Sequence, residues 1–452
     1  MTVQPARRIA LDVILAVRDS DAYANLLLPV RLERAKLSAA DAGLATELTY
    51  GTLRRQGYYD KVISLAAGRP VEKIDPAILD VLRLACHQLL SMRVAQHAAV
   101  DESVELAKTV GSNSAVGFVN GVLRTITRTP ADEWHARALQ GVHGDEALAI
   151  DSSHPLWIVR AFRQALAAEP GQGEVGALLE ADNVAPRVSL TALPGLATVE
   201  ELDAYASPFS PIAATLDGGD PTQLPAVREG RARVQDEGSQ LAALALSRAR
   251  PISAREQWLD MCAGPGGKAA LLTAEARVGG AIMTANELVP ARAQLVRNAV
   301  AVFENPPEVW EEDGTTIGER FPDSFDRILL DAPCTGLGAL RRRPEARWRK
   351  VPRDVAQLSG VQLALLGSAL KALKPGGILA YVTCSPHLGE TKVMVETALK
   401  KWPTAQRLDT KAVLDGVTTV PLELPDADHV QLWPHLHGTD AMFIQLLTKS
   451  AG

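Results

Sequence analysis

The sequence predicts a chain of α/β class in three parts: an all-helical region, a small α+β module and a doubly wound parallel-sheet domain. Three observations carry this. Apolar residues recur at helical spacing through residues 1–130, with no strand-like alternation. Gly, Pro and Ser punctuate residues 129–153 and again 205–226. From about residue 231 short apolar runs alternate with helical stretches, the order that a parallel sheet with crossover helices requires. The expected domains are therefore 1–140, 141–230 and 231–452.

The helical part opens with Ile9, Val13, Leu15 and Val17 near one face. Ser38, with Asp41 three residues on, has the form of a helix N-cap. Pro76 followed by Ile78, Leu79, Leu82, Leu84 and Cys86 predicts a buried helix with proline in its first turn. Cys86 and His87 on that helix are expected to be core residues, because Cys behaves as a small hydrophobe. In the middle segment Trp157 to Leu166 is helical and Arg187 to Thr191 strand-like, and residues 205–226 form a loop-rich stretch. The strands expected in the last part are Trp258–Cys262, Ala281–Asn286, Glu308–Trp310, Arg327–Leu330 and Ile378–Thr383. Ligands of such sheets bind beyond the carboxyl ends of the strands, where strand order reverses.

Composition narrows the function. The chain has 452 residues, 47% hydrophobic, 22% charged and 4% aromatic, which excludes collagen-like and disordered classes. No apolar run approaches the roughly 18 to 20 residues of a membrane span, and Asp12 interrupts the apolar stretch after Arg7-Arg8. Four unclustered cysteines, Cys86, Cys262, Cys334 and Cys384, lack C-x-x-C spacing; they fit a reducing cytoplasm and no metal. Net charge is −6, but it is uneven: +3 over 1–130, −10 over 131–230 and +1 over 231–452. Both flanking regions are free to present basic faces to a polyanion, so overall charge does not exclude RNA.

Three motifs carry chemistry. Asp260-Met261-Cys262-Ala263-Gly264-Pro265-Gly266-Gly267-Lys268 lies between a strand and an apolar helix, where glycines admit a ligand close to the backbone. It lacks the P-loop spacing. Glu287 ends the next strand, where a carboxylate can accept both hydroxyls of a ribose, and Asp313 follows the third, within reach of an adenine amine. A lone glycine loop is commonly only a turn; loop, Glu287 and Asp313 in this order favour a nucleoside-bearing cofactor. The second motif pairs Asp331-Ala332-Pro333-Cys334 with Thr383-Cys384-Ser385-Pro386, each at a strand end. A single cysteine there would be read as inert packing, and Cys262 is read so. Two, on strands that neighbour one another about 5 Å apart, would share one crevice. The third is the run Arg341-Arg342-Arg343-Pro344-Glu345-Ala346-Arg347-Trp348-Arg349-Lys350. Charge runs usually only solubilise; this one, just after Cys334, is expected to contact a polyanion through Arg341, Arg342, Arg343 and Arg347. Trp348 is expected to anchor the segment in preference to stacking on a base.

These motifs resemble the RNA cytosine-5 methyltransferases. The order of glycine loop, Asp-Ala-Pro-Cys-Thr-Gly, Arg-Arg-Arg-Pro-Glu-Ala-Arg-Trp and Thr-Cys-Ser carries the resemblance, with Val234-Gln235-Asp236-Glu237-Gly238-Ser239-Gln240 upstream. Asp101 to Lys108 and Phe118 to Arg124 resemble the NusB-like RNA-binding domain. The pairing is similar to the bacterial 16S ribosomal RNA cytosine-5 methyltransferase B family, over all but residues 131–230. The resemblance implies a Rossmann-like class I methyltransferase domain behind a NusB-like domain. It implies S-adenosylmethionine held by residues 262–268, Glu287, Asp313 and Asp331, Cys384 as nucleophile, and Cys334 as the residue assisting product release. By its position Asp331 is also expected to contact the cytosine edge. The partner implied is 16S ribosomal RNA or a small-subunit precursor, acted on by a monomer. Other ribosomal or transfer RNA, a DNA cytosine methyltransferase with exchanged cysteine roles, or a non-catalytic RNA-binding protein are the alternatives. Three departures stand out: Ala-Gly-Pro in place of Ala-Ala-Pro, Pro386 to Thr391 in place of a Glu-Asn-Glu ending, and Asp440-Ala441-Met442-Phe443 in place of Asp-Gly-Phe-Phe. The first is expected to leave the backbone site intact.

Overall fold

A computed structural model describes residues 3–20 and 22–450. The chain forms two compact units. One comprises residues 1–160, 175–184 and 340–349; the other comprises 161–174, 185–339 and 350–452.

The first unit is helical, with no strand among its described residues. Helix Ala39–Arg54 begins where expected, Ser38 Oγ accepting from Asp41 N at 3.2 Å. Helix Pro76–Leu90 starts on Pro76, capped by Asp75, and is the central buried helix, with Leu82, Leu84 and Cys86 fully inaccessible. His87 is a satisfied core residue, its Nδ1 2.8 Å from the Tyr59 hydroxyl.

The unit reaches further along the chain than the boundary expected at residue 140. Arg55 donates to Asp151 O at 2.8 Å and Gly57 N to Ser153 Oγ at 2.8 Å, which fastens residues 141–160 to the preceding helices. The segment 340–349 is inserted here too. Arg347 is fully buried; its guanidinium donates to Arg54 O (2.9 Å), Asn183 Oδ1 (2.8 Å) and Asp182 O (2.7 Å). Burial pushes Arg347 down to about 9. Arg341 is also buried, and its carbonyl accepts from Arg54. Arg349 donates to Val17 O at 2.6 Å, and Trp348 lies against the α-carbon of Gly57, where a Cβ would stand 2.3 Å from the ring. Trp348 is thus the anchor expected. The expectation of polyanion contact is corrected for Arg341 and Arg347, whose heads are enclosed by protein. Only Arg343 of the four stands exposed, with Arg342 half-buried.

The second unit holds both sheets. Strands β1 (Val188–Ala192), β2 (Tyr205–Ala206), β3 (Ala213–Leu216) and β4 (Ala232–Val234) form an antiparallel sheet in the order β2-β3-β1-β4. Leu190, Leu202, Ala214 and Ala226 make its core. The α+β module therefore contains two strands in the stretch expected to be loop, and β4 lies beyond the expected edge at 230. Residues 161–174 are held in this unit through Glu169, which accepts from Lys392 (2.8 Å) and His429 (2.7 Å).

The large sheet has strands β5 (Gln257–Asp260), β6 (Ile282–Asn286), β7 (Glu308–Trp310), β8 (Phe325–Asp331), β9 (Leu373–Thr383), β10 (Ala405–Arg407), β11 (Val430–Gln431) and β12 (Phe443–Lys449). Its order is β10-β12-β9-β8-β5-β6-β7, with β11 on β12. The run from β5 to β9 is parallel, whereas β12 pairs antiparallel with β9. Central parallel strands are covered on both faces, which is why β8 and β9 read as continuous apolar runs: Ile328, Leu329, Leu330, Leu379, Ala380 and Tyr381 are all fully buried. Strand order reverses at β5, which has β6 on one side and β8 on the other, so the crevice lies at the carboxyl ends of β5 and β8.

Candidate active site

Asp260 closes β5 opposite Leu329 of β8, and Asp331 closes β8 further along the neighbouring strand, at the reversal point. The chain then turns through residues 261–266 into helix Gly267–Gly279. Gly266 has φ +107°, and a Cβ there would stand 2.5 Å from that of Ala299, so only glycine fits. Glu287, at the end of β6, is buried and accepts from Gly264 N (3.1 Å) and Val289 N (3.0 Å). Arg292 reaches the same place, donating to Gly264 O at 2.8 Å. A Cβ on Gly264 would meet Glu287 Oε2 at 2.2 Å and Arg292 Nε at 2.9 Å. The glycine that replaces alanine is therefore not neutral: its missing side chain is the space in which these two side chains sit. Asp313, after β7, is exposed and caps helix Gly314–Arg320 by accepting from Thr315 N at 2.9 Å. Since β5, β6 and β7 are successive neighbours, the loop, Glu287 and Asp313 follow one edge of the sheet, and these donors and acceptors fit an adenosine-bearing cofactor.

Lys268, in the first turn of the helix, donates to Asp331 Oδ2 at 2.8 Å. Burial works to lower its pKa, but Asp331, together with Cys384 and Asp260, outweighs burial and leaves it raised. Asp260 is fully enclosed. Burial first, then the like charge of Asp331, pushes its carboxyl up to about 8, against the pull of Lys268. Burial also pushes the Cys262 thiol up, in keeping with packing inside the loop.

The two remaining cysteines meet. Pairing of β8 with β9 brings Asp331 opposite Val382, and the chain beyond each strand carries Cys334 and Cys384 to an Sγ–Sγ distance of 3.5 Å. Neither is in a disulfide. The hydrogen bond to Cys384, then burial, pushes the Cys334 thiol well above its usual range. The structure thus gathers Lys268, Asp331, Cys334 and Cys384 within one unit. Sequence reasoning missed the polar cluster behind the thiols, Thr335, Gln362, Tyr381, Ser385 and Glu390, all buried. No local signal marks Glu390, which stands among the polar residues Ser385, His387, Thr391 and Lys392 in the turn after Cys384. Among the described residues no group of three or more His, Cys, Asp or Glu is placed to hold a metal ion.

The fold and this site define a methyltransferase that uses S-adenosylmethionine. Residues 250–448 match the family model described as 16S rRNA methyltransferase RsmB/F, and residues 4–128 match the NusB family. A Mycobacterium tuberculosis protein named only as a methyltransferase is 46% identical over 99% of this chain and 97% of its own length. The ribosomal RNA small subunit methyltransferase B of Salmonella enteritidis is 31% identical over 89% of this chain and 91% of its own. The chain belongs to this RsmB/F methyltransferase family. The crystal structure of PH0851 shares the fold, with a TM-score of 0.81 at 22% identity, covering 99% of this chain and 100% of that one. No helix among the described residues is long and apolar enough to cross a membrane.

Proposed function

We propose that the chain forms 5-methylcytosine in RNA, with 16S ribosomal RNA as the substrate, through a covalent cytosine adduct on Cys384. The observation that carries this reading is the pair of thiols 3.5 Å apart beside the Lys268–Asp331 ion pair. Cytosine C5 is a poor nucleophile until a thiolate adds to C6. Lys268 stands close enough to Cys384 for a thiolate there to raise the proton affinity of the ammonium. Asp331 gives one oxygen to Lys268 and offers the other to the protonated N3 of the adduct. Bound S-adenosylmethionine, held by residues 262–268, Glu287, Asp313 and Asp331, supplies the electrophilic methyl group. Cys334, the second thiol, then assists loss of the C5 proton and release of the Cys384 sulfur. A non-catalytic RNA-binding protein needs neither thiol, and the NusB-family match supports RNA as the partner. Exposed Arg343 is the residue of the basic run best placed to meet phosphate.

The test is transfer of labelled methyl groups to unmodified 16S RNA, followed by nucleoside analysis. Label in 5-methylcytidine is the expected result. Label in any other nucleoside, or transfer only to transfer RNA, would refute the reaction or the substrate respectively.

A further inference from the structure

We infer that Glu390 is a positioning residue that fixes the spacing of the two thiols by tying both cysteine loops to one carboxylate. It is fully buried, and no Lys or Arg forms an ion pair with it among the described residues. Its Oε1 accepts from Thr335 N at 2.8 Å and Gln362 Nε2 at 3.3 Å. Its Oε2 accepts from the Thr335 hydroxyl and from Ser385 Oγ, the latter at 2.6 Å. Thr335 is the residue after Cys334 and Ser385 the residue after Cys384, so one side chain holds the neighbours of both thiols. Gln362 extends the clamp to the residue before Cys334, donating to Pro333 O at 2.9 Å. The Glu390 backbone is itself fixed, its carbonyl accepting from the Tyr381 hydroxyl at 2.8 Å on β9.

Enclosing a carboxylate is costly unless its oxygens are satisfied, and here four donors from three elements satisfy it. A cluster whose members are all satisfied holds one geometry, whereas loss of its central acceptor leaves several donors bare. This geometry claim rests on the proposed two-thiol chemistry for its purpose but not for its test.

Phenylarsine oxide condenses with two adjacent thiols, forming two As–S bonds and releasing water, and so reads their spacing without RNA or cofactor. Wild type is expected to be bridged between Cys334 and Cys384, located by peptide mapping. Glu390→Ala should slow bridging at least tenfold while alkylation of Cys384 by iodoacetamide stays within twofold. Glu390→Gln spans the same gap, because the Thr335 and Ser385 hydroxyls can turn to accept from its amide, and should restore bridging. Ser385→Ala removes the hydroxyl link between the residue after Cys384 and Glu390 but leaves the Thr335 and Gln362 bonds, and should give an intermediate loss; it decides the matter if Glu390→Ala does not fold. In turnover, Glu390→Ala should lower kcat about tenfold with KM for RNA and cofactor unchanged. Unchanged bridging in a folded Glu390→Ala or Ser385→Ala would overturn the proposal, as would failure of Glu390→Gln to restore it. Altered bridging in a protein that never methylates RNA would uphold the clamp and refute the proposed function instead.

Discussion

The crevice at β5 and β8 and the segment 340–349 are both motif-rich, yet the same kind of side chain ends in opposite roles. At the crevice Lys268 is paired with one carboxylate and stands beside a thiol. In the segment, Arg347 is enclosed and its donors go to backbone carbonyls and Asn183. A charged residue is available for chemistry when its partners leave reach toward a substrate, and is structural when protein groups take up its donors. Sequence proximity to Cys334 does not separate the two cases; the partners that each side chain meets do.

The contrast can be broken most sharply at Arg347. Arg347→Ala leaves buried carbonyls bare and should destabilise the protein by about 3–5 kcal/mol, read by denaturant unfolding. Its exposed neighbour is the control: Arg343→Ala should leave stability within about 0.5 kcal/mol, and lower the salt dependence of RNA binding by about one unit of slope. Lys268→Met should reduce single-turnover methyl transfer by roughly 100-fold, the range for loss of one electrostatic group at a reacting centre. An unchanged rate would place the lysine outside the chemistry.

Asp260 gives a pH test. Its folded-state pKa of about 8 lies above the ordinary 3.8, so the folded form keeps a proton that the unfolded chain gives up. The resulting stability is complete below about pH 4 and is lost as pH rises through 8, by at most ~1.4 kcal/mol per pH unit. Asp260→Asn should match wild type near pH 4 and gain on it steadily toward pH 8, measured by unfolding without cofactor. A parallel pH dependence in both proteins would contradict the burial of that carboxyl. The smallest effect at the crevice is expected from Gly264→Ala, which must displace Glu287 and Arg292. Cofactor affinity by calorimetry should weaken several-fold, about 1 kcal/mol.

Much of the second unit was legible because parallel strands are continuous apolar runs ending in motif residues; β5 to β9 were all found. Their limits were harder. β9 begins at Leu373, but Lys374-Pro375-Gly376-Gly377 reads as a turn, and the register indeed shifts there between Phe325 and Arg327. β12 escaped because an antiparallel closing strand depends on a partner some 60 residues away, not on local pattern. β2 and β3, two and four residues long, carry too little periodicity to rise above the prolines around them. The glycine turn after β5 and the meeting of the two thiols were legible from the placement of their motifs at strand ends. Glu390 was not, since its role exists only where the turns after β8 and β9 meet helix Pro352–Ala372.

The most direct test of the two-thiol account is covalent trapping. Cys334→Ala incubated with 16S RNA and S-adenosylmethionine should accumulate a protein–RNA adduct that survives denaturing electrophoresis, and Cys384→Ala should form none and transfer no methyl. An adduct from Cys384→Ala would contradict the assignment and make Cys334 the attacking thiol.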